Sequence, residues 1–393
     1  MRYLFILALV TAASPGWSAT WHVEKDGTGD FSVIQDAVDA AASGDTIMIG
    51  PGRYDDGEVV TTLGWTEFVR VRVAQQDLTF IGAGVGETIV GREETWNLYR
   101  DGRDKCIYVP SAIESTQLRV SSITFENTRE ALTLDHYGSA RISDCQFTGN
   151  DAAIVSLAGD TLTVCNSLFE NGASMASFVG IWGMNSISVS HCFFNMSNAI
   201  SKSGVYINGV LDARIANCSF VYGHSGVKNS ACDDLIVTDC IFERQSGASL
   251  YSTDSHSRVS IDRCRFDKAY SGILFDASLG WIRIEQTGFT DMVTTALTYR
   301  RANNGYIRNC NIQKGLKFAV KWDSANLEHP PDPVHFDMRN NWWGTTNPDS
   351  ISVWIEDHHD NPDNMFIIDF EPFAETSVAN QPKSLGGLKA LYR

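Results

Sequence analysis

One phrase recurs along this chain: an apolar residue, any residue, a polar one, a Cys or small residue, any residue, then a bulky apolar one. Copies occupy 120–125, 142–147, 164–169, 189–194, 215–220, 237–242, 261–266, 284–289 and 307–312, with a looser copy at 338–343. Their bulky residues are Phe125, Phe147, Phe169, Phe194, Phe220, Phe242, Phe266, Phe289 and Ile312, at intervals of 22 to 26 residues. A fixed period of this size means a stack of like units, and it restricts the fold more than any composition figure.

Within each copy the residues alternate in and out, the period of a strand, and the Phe, Val and Ile content agrees. A second short strand follows each copy, often opened by Gly or Ala, as in Ala131-Leu-Thr-Leu, Gly204-Val-Tyr-Ile and Gly272-Ile-Leu-Phe. Polar turn residues such as Asn127, Asn150, Asn171 and Asp291 separate the two. No interval is long enough for a helix between strands. A sheet of βαβ units and a helix-pair repeat are both excluded. What remains is an all-β parallel β-helix with one coil per repeat. At ~4.8 Å per strand, about ten coils make a rod on the order of 50 Å long. Like positions then stack. Cys145, Cys192, Cys218, Cys240, Cys264 and Cys310 form one inward column, led by Ile123 and interrupted by Ser167 and Thr287. The bulky residues form a second.

The ends have their own signals. Residues 1–19 read as a secretory signal peptide: Arg2, an apolar run over 4–13, then small residues before a cleavage site. The run is too short to span a bilayer. The mature chain is therefore expected to be secreted, periplasmic or on the cell surface, with no membrane span. Ser32 and Gln35 have capping-box spacing, and Ile34, Val38 and Ala41 make a helical stripe before Gly44. A short helix is expected there as the N-terminal cap. Residues 20–373 form a single domain, with 341–373 expected to cap the far end and 374–393 left as a C-terminal tail. Nine cysteines in an exported chain ordinarily suggest disulfides. Six sit in the inward column, so only Cys106, Cys165 and Cys232 are plausible bridge partners. The formal net charge of −16 disfavours nucleic acid. It also opposes polyanionic sugars unless a basic strip or bound Ca²⁺ offsets it locally. No resident cofactor is otherwise indicated.

From Thr20 to Phe373 the chain resembles the pectin lyase-like superfamily of right-handed β-helices. The opening Trp21-His-Val-Glu-Lys-Asp-Gly-Thr-Gly-Asp-Phe-Ser-Val-Ile-Gln-Asp-Ala-Val is similar to the start of exported β-helix proteins, pectinesterases among them. Gly44-Asp-Thr-Ile-Met-Ile-Gly-Pro-Gly-Arg-Tyr and the closing Asn340-Asn-Trp-Trp-Gly carry the same resemblance. Pectinesterase activity is not implied. The family's Q-D-T-L motif is absent, since Gln76-Asp77-Leu78 lies too early and lacks the Thr, and no D-F-x-F-G segment occurs. The paired aspartates of polygalacturonases are missing too.

By this resemblance, chemistry belongs on the outside of one parallel sheet, in a groove walled by long turns. The Gly-Ile-x-Leu type strand is the candidate sheet. Its outward positions carry Tyr206, Asn208, Lys228, Tyr251, Asp276, Arg300, Arg301 and Lys321, with His256 just after Tyr251. A polyuronate lyase or C5-epimerase must neutralise a carboxylate and remove the neighbouring proton. Arg300 or Lys321 suits the first task, Tyr251 or His256 the second. Asp276, Arg300 and Lys321 fall on successive coils, where stacking is expected to bring them within roughly 5–10 Å of one another. Tyr206, Asn208, Lys228 and Arg301 would hold the sugar. The bland alternative is a surface ion-pair ladder on a non-catalytic carbohydrate-binding or structural rod. A third is a periplasmic metal- or cofactor-handling β-helix, supported only by Glu356-Asp-His358-His359-Asp360 with Asp363. Adjacent residues seldom converge on one ion, so no metal ligands are assigned.

Overall fold

The computed structural model describes residues 18–62, 65–74, 77–95, 102–110, 116–172, 177–197, 201–253, 258–276, 280–300, 304–322, 333–362, 364 and 366–378. The expected signal peptide, apart from residues 18 and 19, and the part of the expected tail beyond 378 lie outside them. The chain winds as an all-β right-handed parallel β-helix of about 11 turns, with two short helices. Each coil has three faces. A short strand carries the bulky column, and eleven of these, from Gly52–Tyr54 to Asn311–Ile312, stack as the Phe face. The chain then runs up a second face, here termed the groove face, and returns along a third. In the middle coils one long strand, such as Glu130–Ser143 or Ser203–Ala216, serves both of these and bends once between them. Every strand pairs in parallel with its equivalent one coil on, save Glu58–Thr62, which folds back antiparallel on Trp65–Arg72.

The third face meets the Phe face at a corner of two residues, repeated nine times from 122–123 to 309–310. The first of each pair is left-handed, from Ser122 at φ 59° through Asp144, Asn166, Asn217 and Asp239 to Asn309 at φ 56°. Asn and Asp tolerate this region best among residues with a Cβ, which explains their recurrence. The repeated phrase is therefore not one strand. Ile142 and Ser143 end a third-face strand, Asp144 turns the chain, and Phe147 stands in the next strand. Strict in-and-out alternation does not cross the corner: Ser143 and Asp144 both face outward, and the phase slips by one so that Cys145 and Phe147 face inward.

The second corner residue is the cysteine column. All nine cysteines are buried thiols. Those of the column donate to the carbonyl two residues back, as in Cys145 to Ser143 at 3.2 Å and Cys218 to Ala216 at 3.3 Å. Ser167 and Thr287 make the same contact at 2.9 and 2.8 Å. Their oxygens also accept from the backbone N–H of Cys145 and Cys264, at 3.2 and 3.3 Å. Asn341 fills this position in the tenth copy and accepts from Cys310 N–H at 2.8 Å. The site selects a small buried donor, and burial pushes the Cys145 thiol up to about 12.

Eight phenylalanines stack along the Phe face from Phe125 to Phe289, with centroids 4.5 to 5.2 Å apart and rings within 14° of parallel. The spacing is the strand repeat itself. The N-terminal helix α1 (Ile34–Ala40) forms and buries Ile34, Ala37 and Val38 in the common core. Its expected capping box does not. Val33 is the N-cap and makes no side-chain cap bond, because Gln35 instead accepts from Arg72 N–H at 2.7 Å. At the other end the segment 341–373 does more than cap. It holds α2 (Pro348–Trp354), and Ile355–Glu356 and Phe366–Asp369 add rungs to the groove and third faces. Among the described residues no helix is long and apolar enough to cross a membrane.

Lys202 is wholly buried at the entry to the groove face. Its ammonium donates to the carbonyls of Asn150 and Asp151 at 3.2 and 2.6 Å and lies 4.1 Å from the Phe178 ring centroid. Burial lowers its pKa from 10.5 to about 8. Between those values the unfolded chain binds more protons than the folded one, so the cost of holding this charge is relieved as pH rises. Stability should therefore increase from pH 8 to 10.5 in the native chain relative to Lys202→Met, read from urea midpoints at each pH. Phe194→Ala should cost about 3–5 kcal/mol in the same measurement, since a rigid stack collapses poorly around a missing ring.

Candidate functional site

Connection lengths identify the face on which a site can be built. The corner between the third and Phe faces holds two residues in nine successive coils from 122–123 to 309–310, after one of five residues between Gly82 and Thr88. The other two corners vary. From Phe face to groove face the connection runs from two residues, between Tyr222 and Ser225, to eleven, between Gly91 and Arg103. From groove face to third face it runs from a bend within one strand to eleven residues, between Trp322 and Val334. Both variable corners border the groove face. Added chain there walls a surface without disturbing the stacked core, which is where functional loops are tolerated.

Register places the candidates on this face. Tyr206, Lys228 and Tyr251 are successive members of one outward column, continued by Leu274, Thr298, Lys321 and Glu356. The Lys228 ammonium lies 5.5 Å from the Tyr206 ring centroid and 5.7 Å from that of Tyr251. Among the described residues no carboxylate comes within ion-pair distance of it. Three other basic groups of this face are paired: Lys105 lies 2.9 Å from Glu67, Arg300 3.0 Å from Asp276, and Lys321 3.9 Å from Glu356. Trp182 meets the Tyr206 ring edge-on at 5.4 Å and lengthens the aromatic strip.

Asp276 and Arg300 stand at strand ends, one rung apart. Tyr251 donates its hydroxyl to the same Asp276 oxygen that Arg300 holds, at 2.8 Å. Burial and then the Asp276 carboxylate push the Tyr251 phenol up to about 12. The structure thus joins Tyr251, Asp276 and Arg300. Lys321 belongs instead to the Tyr206 column, three rungs beyond Tyr251, and faces Glu356. The expected stacking of Asp276, Arg300 and Lys321 in one file is corrected accordingly: the strand ends at Phe275 and Tyr299 shift the two former residues to the next column. Asn208 borders a β-bulge, where pairing slips from Ile207–Asn229 to Asn208–Ala231. His256 and Arg301 lie outside the described residues.

The C-terminal cluster makes a turn. Asp357 accepts from the N–H groups of His359 and Ile368 at 2.8 and 2.9 Å, and His358 Nδ1 lies 2.7 Å from the Asn364 carbonyl. Among the described residues no three His, Cys, Asp or Glu converge as metal ligands; Asp363 is not among those residues. Sequence reasoning missed Trp182, which pairs with Asn208 in register and reaches the Tyr206 ring diagonally across the rung. It also missed the ion pair of Arg70 and Asp104 at the first rungs, both at most 3 % exposed. Alternation in Val69-Arg-Val-Arg-Val places Arg70 outward, and the residues around it there, Asp55, Phe68, Arg92, Glu93, Glu94 and Asp104, come from separate segments that no local pattern joins.

A family model described as a right handed beta helix region matches residues 115–285 and 183–312. No curated protein matches the chain. Among solved structures, the catalytic unit of a thermostable GH87 alpha-1,3-glucanase from Streptomyces thermodiastaticus strain HF3-3 is similar over 95% of this chain and 71% of its own, at 12% identity and a TM-score of 0.52. The Agl-KA catalytic domain covers 93% of this chain and 69% of its own, at 14% identity and a TM-score of 0.47. A mutant pectin methylesterase in complex with hexasaccharide IV covers 97% and 96%, at 13% identity and a TM-score of 0.31. At such identities the likeness is one of fold.

Alkaline difference absorbance between the native chain and Tyr251→Phe should place the Tyr251 phenol near 12 rather than 10.0. Asp276→Asn should move it downward, because an accepting charge is lost while burial remains.

Proposed function

Because the chain belongs to the right-handed β-helix family, whose framework leaves the groove face open between variable connections, we propose that it is an exported protein that binds acidic polysaccharide along that face. Lys228 takes a uronate carboxylate, and Tyr206 and Tyr251 stack on sugar rings, with Trp182 extending the platform. The observation that carries this reading is the ammonium of Lys228, held between two tyrosine rings with no carboxylate beside it among the described residues. A cation kept in that state on a chain of net charge −16 is a local exception to the overall sign. A ligand carboxylate supplies the missing charge-assisted hydrogen bond, and the rings supply apolar contact for the sugar's C–H face.

Binding is favoured over bond cleavage by how the neighbouring cluster spends its groups. A lyase or epimerase needs an available cation and an available base. Arg300 is committed to Asp276, and Tyr251 is a proton donor whose phenol is held near 12. The rod accordingly acts as a carbohydrate-binding or surface-structural element.

Affinity electrophoresis through gels containing polygalacturonate, alginate or dextran tests this reading. The native chain should be retarded by at least one uronate polymer and not by dextran. Lys228→Ala should weaken retardation roughly tenfold, the worth of one charge-assisted contact. Equal retardation of Lys228→Ala, or none with either uronate, overturns the proposal. Release of ultraviolet-absorbing unsaturated ends overturns the binding-only role and makes Arg300→Ala the decisive variant for a lyase.

A further inference from the structure

A cleft of about 520 Å³ opens at the first rungs of the groove face, lined by Asp55, Phe68, Arg70, Arg92, Glu93, Glu94 and Asp104. Phe68 and Arg70 come from Trp65–Arg72 and Asp104 from Arg103–Val109, groove-face strands that pair in parallel. The cleft lies four to five rungs before Tyr206, about 19–24 Å along the axis at ~4.8 Å per rung. Arg70 and Asp104 form an ion pair in its wall, with side chains only 2% and 1% exposed. Arg92 approaches the same carboxylate at 3.8 Å. The Arg70 guanidinium lies 5.1 Å from the Phe68 ring centroid.

Arg70 is not fully satisfied. Its Nη atoms serve Asp104 and the Lys105 carbonyl, and its Nε–H is buried with no acceptor among the described residues. An orphaned donor on a buried cation is costly to leave unmade. The lining otherwise holds four carboxylates against two guanidiniums, with Asp55, Glu93 and Glu94 exposed at its mouth.

These facts discriminate among ligand classes. An anion offers an acceptor to Arg70 but must pass three exposed carboxylates into a site with a net excess of negative charge. A simple cation is drawn to the carboxylates but brings no acceptor for the Arg70 donor. A neutral polyhydroxylated ring meets both demands, since each hydroxyl donates and accepts. Phe68 adds apolar contact, and the volume falls within the usual range for small-molecule sites.

We propose that this cleft is a second binding site on the groove face, selective for a neutral sugar residue, with Arg70 donating to a ring or hydroxyl oxygen and Asp55, Glu93 and Glu94 accepting from hydroxyls. The inference rests on the reading that this face handles polysaccharide, and it adds a specificity: a polymer or branch with neutral residues five to six rungs from the uronate position at Lys228, about 24–29 Å at ~4.8 Å per rung.

Saturation-transfer NMR on the full chain tests it with cellobiose, maltose and lactose, and with galacturonic acid and glucosamine as charged controls. At least one neutral disaccharide should receive saturation. The combined variant Asp55→Asn and Glu93→Gln keeps side-chain shape at exposed positions and should weaken that binding about tenfold. Lys228→Ala should leave it unchanged, which separates this site from the uronate strip. No transfer to any neutral disaccharide, equal affinity in the combined variant, or tighter binding of glucosamine than of the neutral sugars each overturns the proposal.

Discussion

Vertical register is the constraint on which the rest of this molecule depends. Each strand finds its hydrogen-bonding partner one coil away, so residues about two dozen apart in sequence become neighbours at ~4.8 Å. Through the nine coils from Ser122 to Asn309 register holds because one corner keeps its length. There the two-residue turn from third face to Phe face, opened by a left-handed residue, resets the phase of each coil before its Phe-face strand begins. Coils differ by several residues elsewhere, yet Phe125 to Phe289 remain in one file.

Parallel stacking has an electrostatic cost that the sequence manages. In-register coils set like positions directly above one another, and equal charges at that separation repel. On the third face opposite charges take adjacent rungs: Asp234 beneath Arg258, Asp239 beneath Arg263 at 2.7 Å, and Arg308 beneath Asp337. Exposed pairs of this sort contribute about 0–1 kcal/mol each. Their larger effect is to let an acidic chain stack on itself. Arg70 and Asp104 are different, since a buried pair is strongly disfavoured once either member is removed.

Most of the architecture was legible because it repeats. A period near 23, a bulky column and a Cys column each recur often enough to override local ambiguity, and the structure adds only that the phrase spans a corner. Ser167 and Thr287 already marked the column as a place for small donors, although the carbonyl they serve is visible only in three dimensions. The candidate site was less legible because it lies where coils differ. Tyr206, Lys228 and Tyr251 were placed correctly on one face, since short connections preserve their register. Lys321 was put beside Arg300 although the strands end before Arg300, and residue counting cannot see where a strand stops. The Arg70 cleft had no periodic signal, because Asp55, Arg92, Glu93 and Glu94 of its lining stand in connections that do not repeat from coil to coil.

The aromatic interior changes hands near the far end. As the Phe column gives way to Ile312, a second pile of rings begins on the groove side, with Phe275 against Tyr299 at 5.2 Å, Tyr299 against Trp322 at 5.1 Å and Trp322 against Phe366 at 3.9 Å. The two piles overlap for two coils, like a lap joint. In a solenoid whose units touch only their neighbours, such an overlap governs cooperativity. The terminal coils are spliced into the body, so loosening that starts at the C-terminal end must peel two ring systems at once before it can travel down the rod.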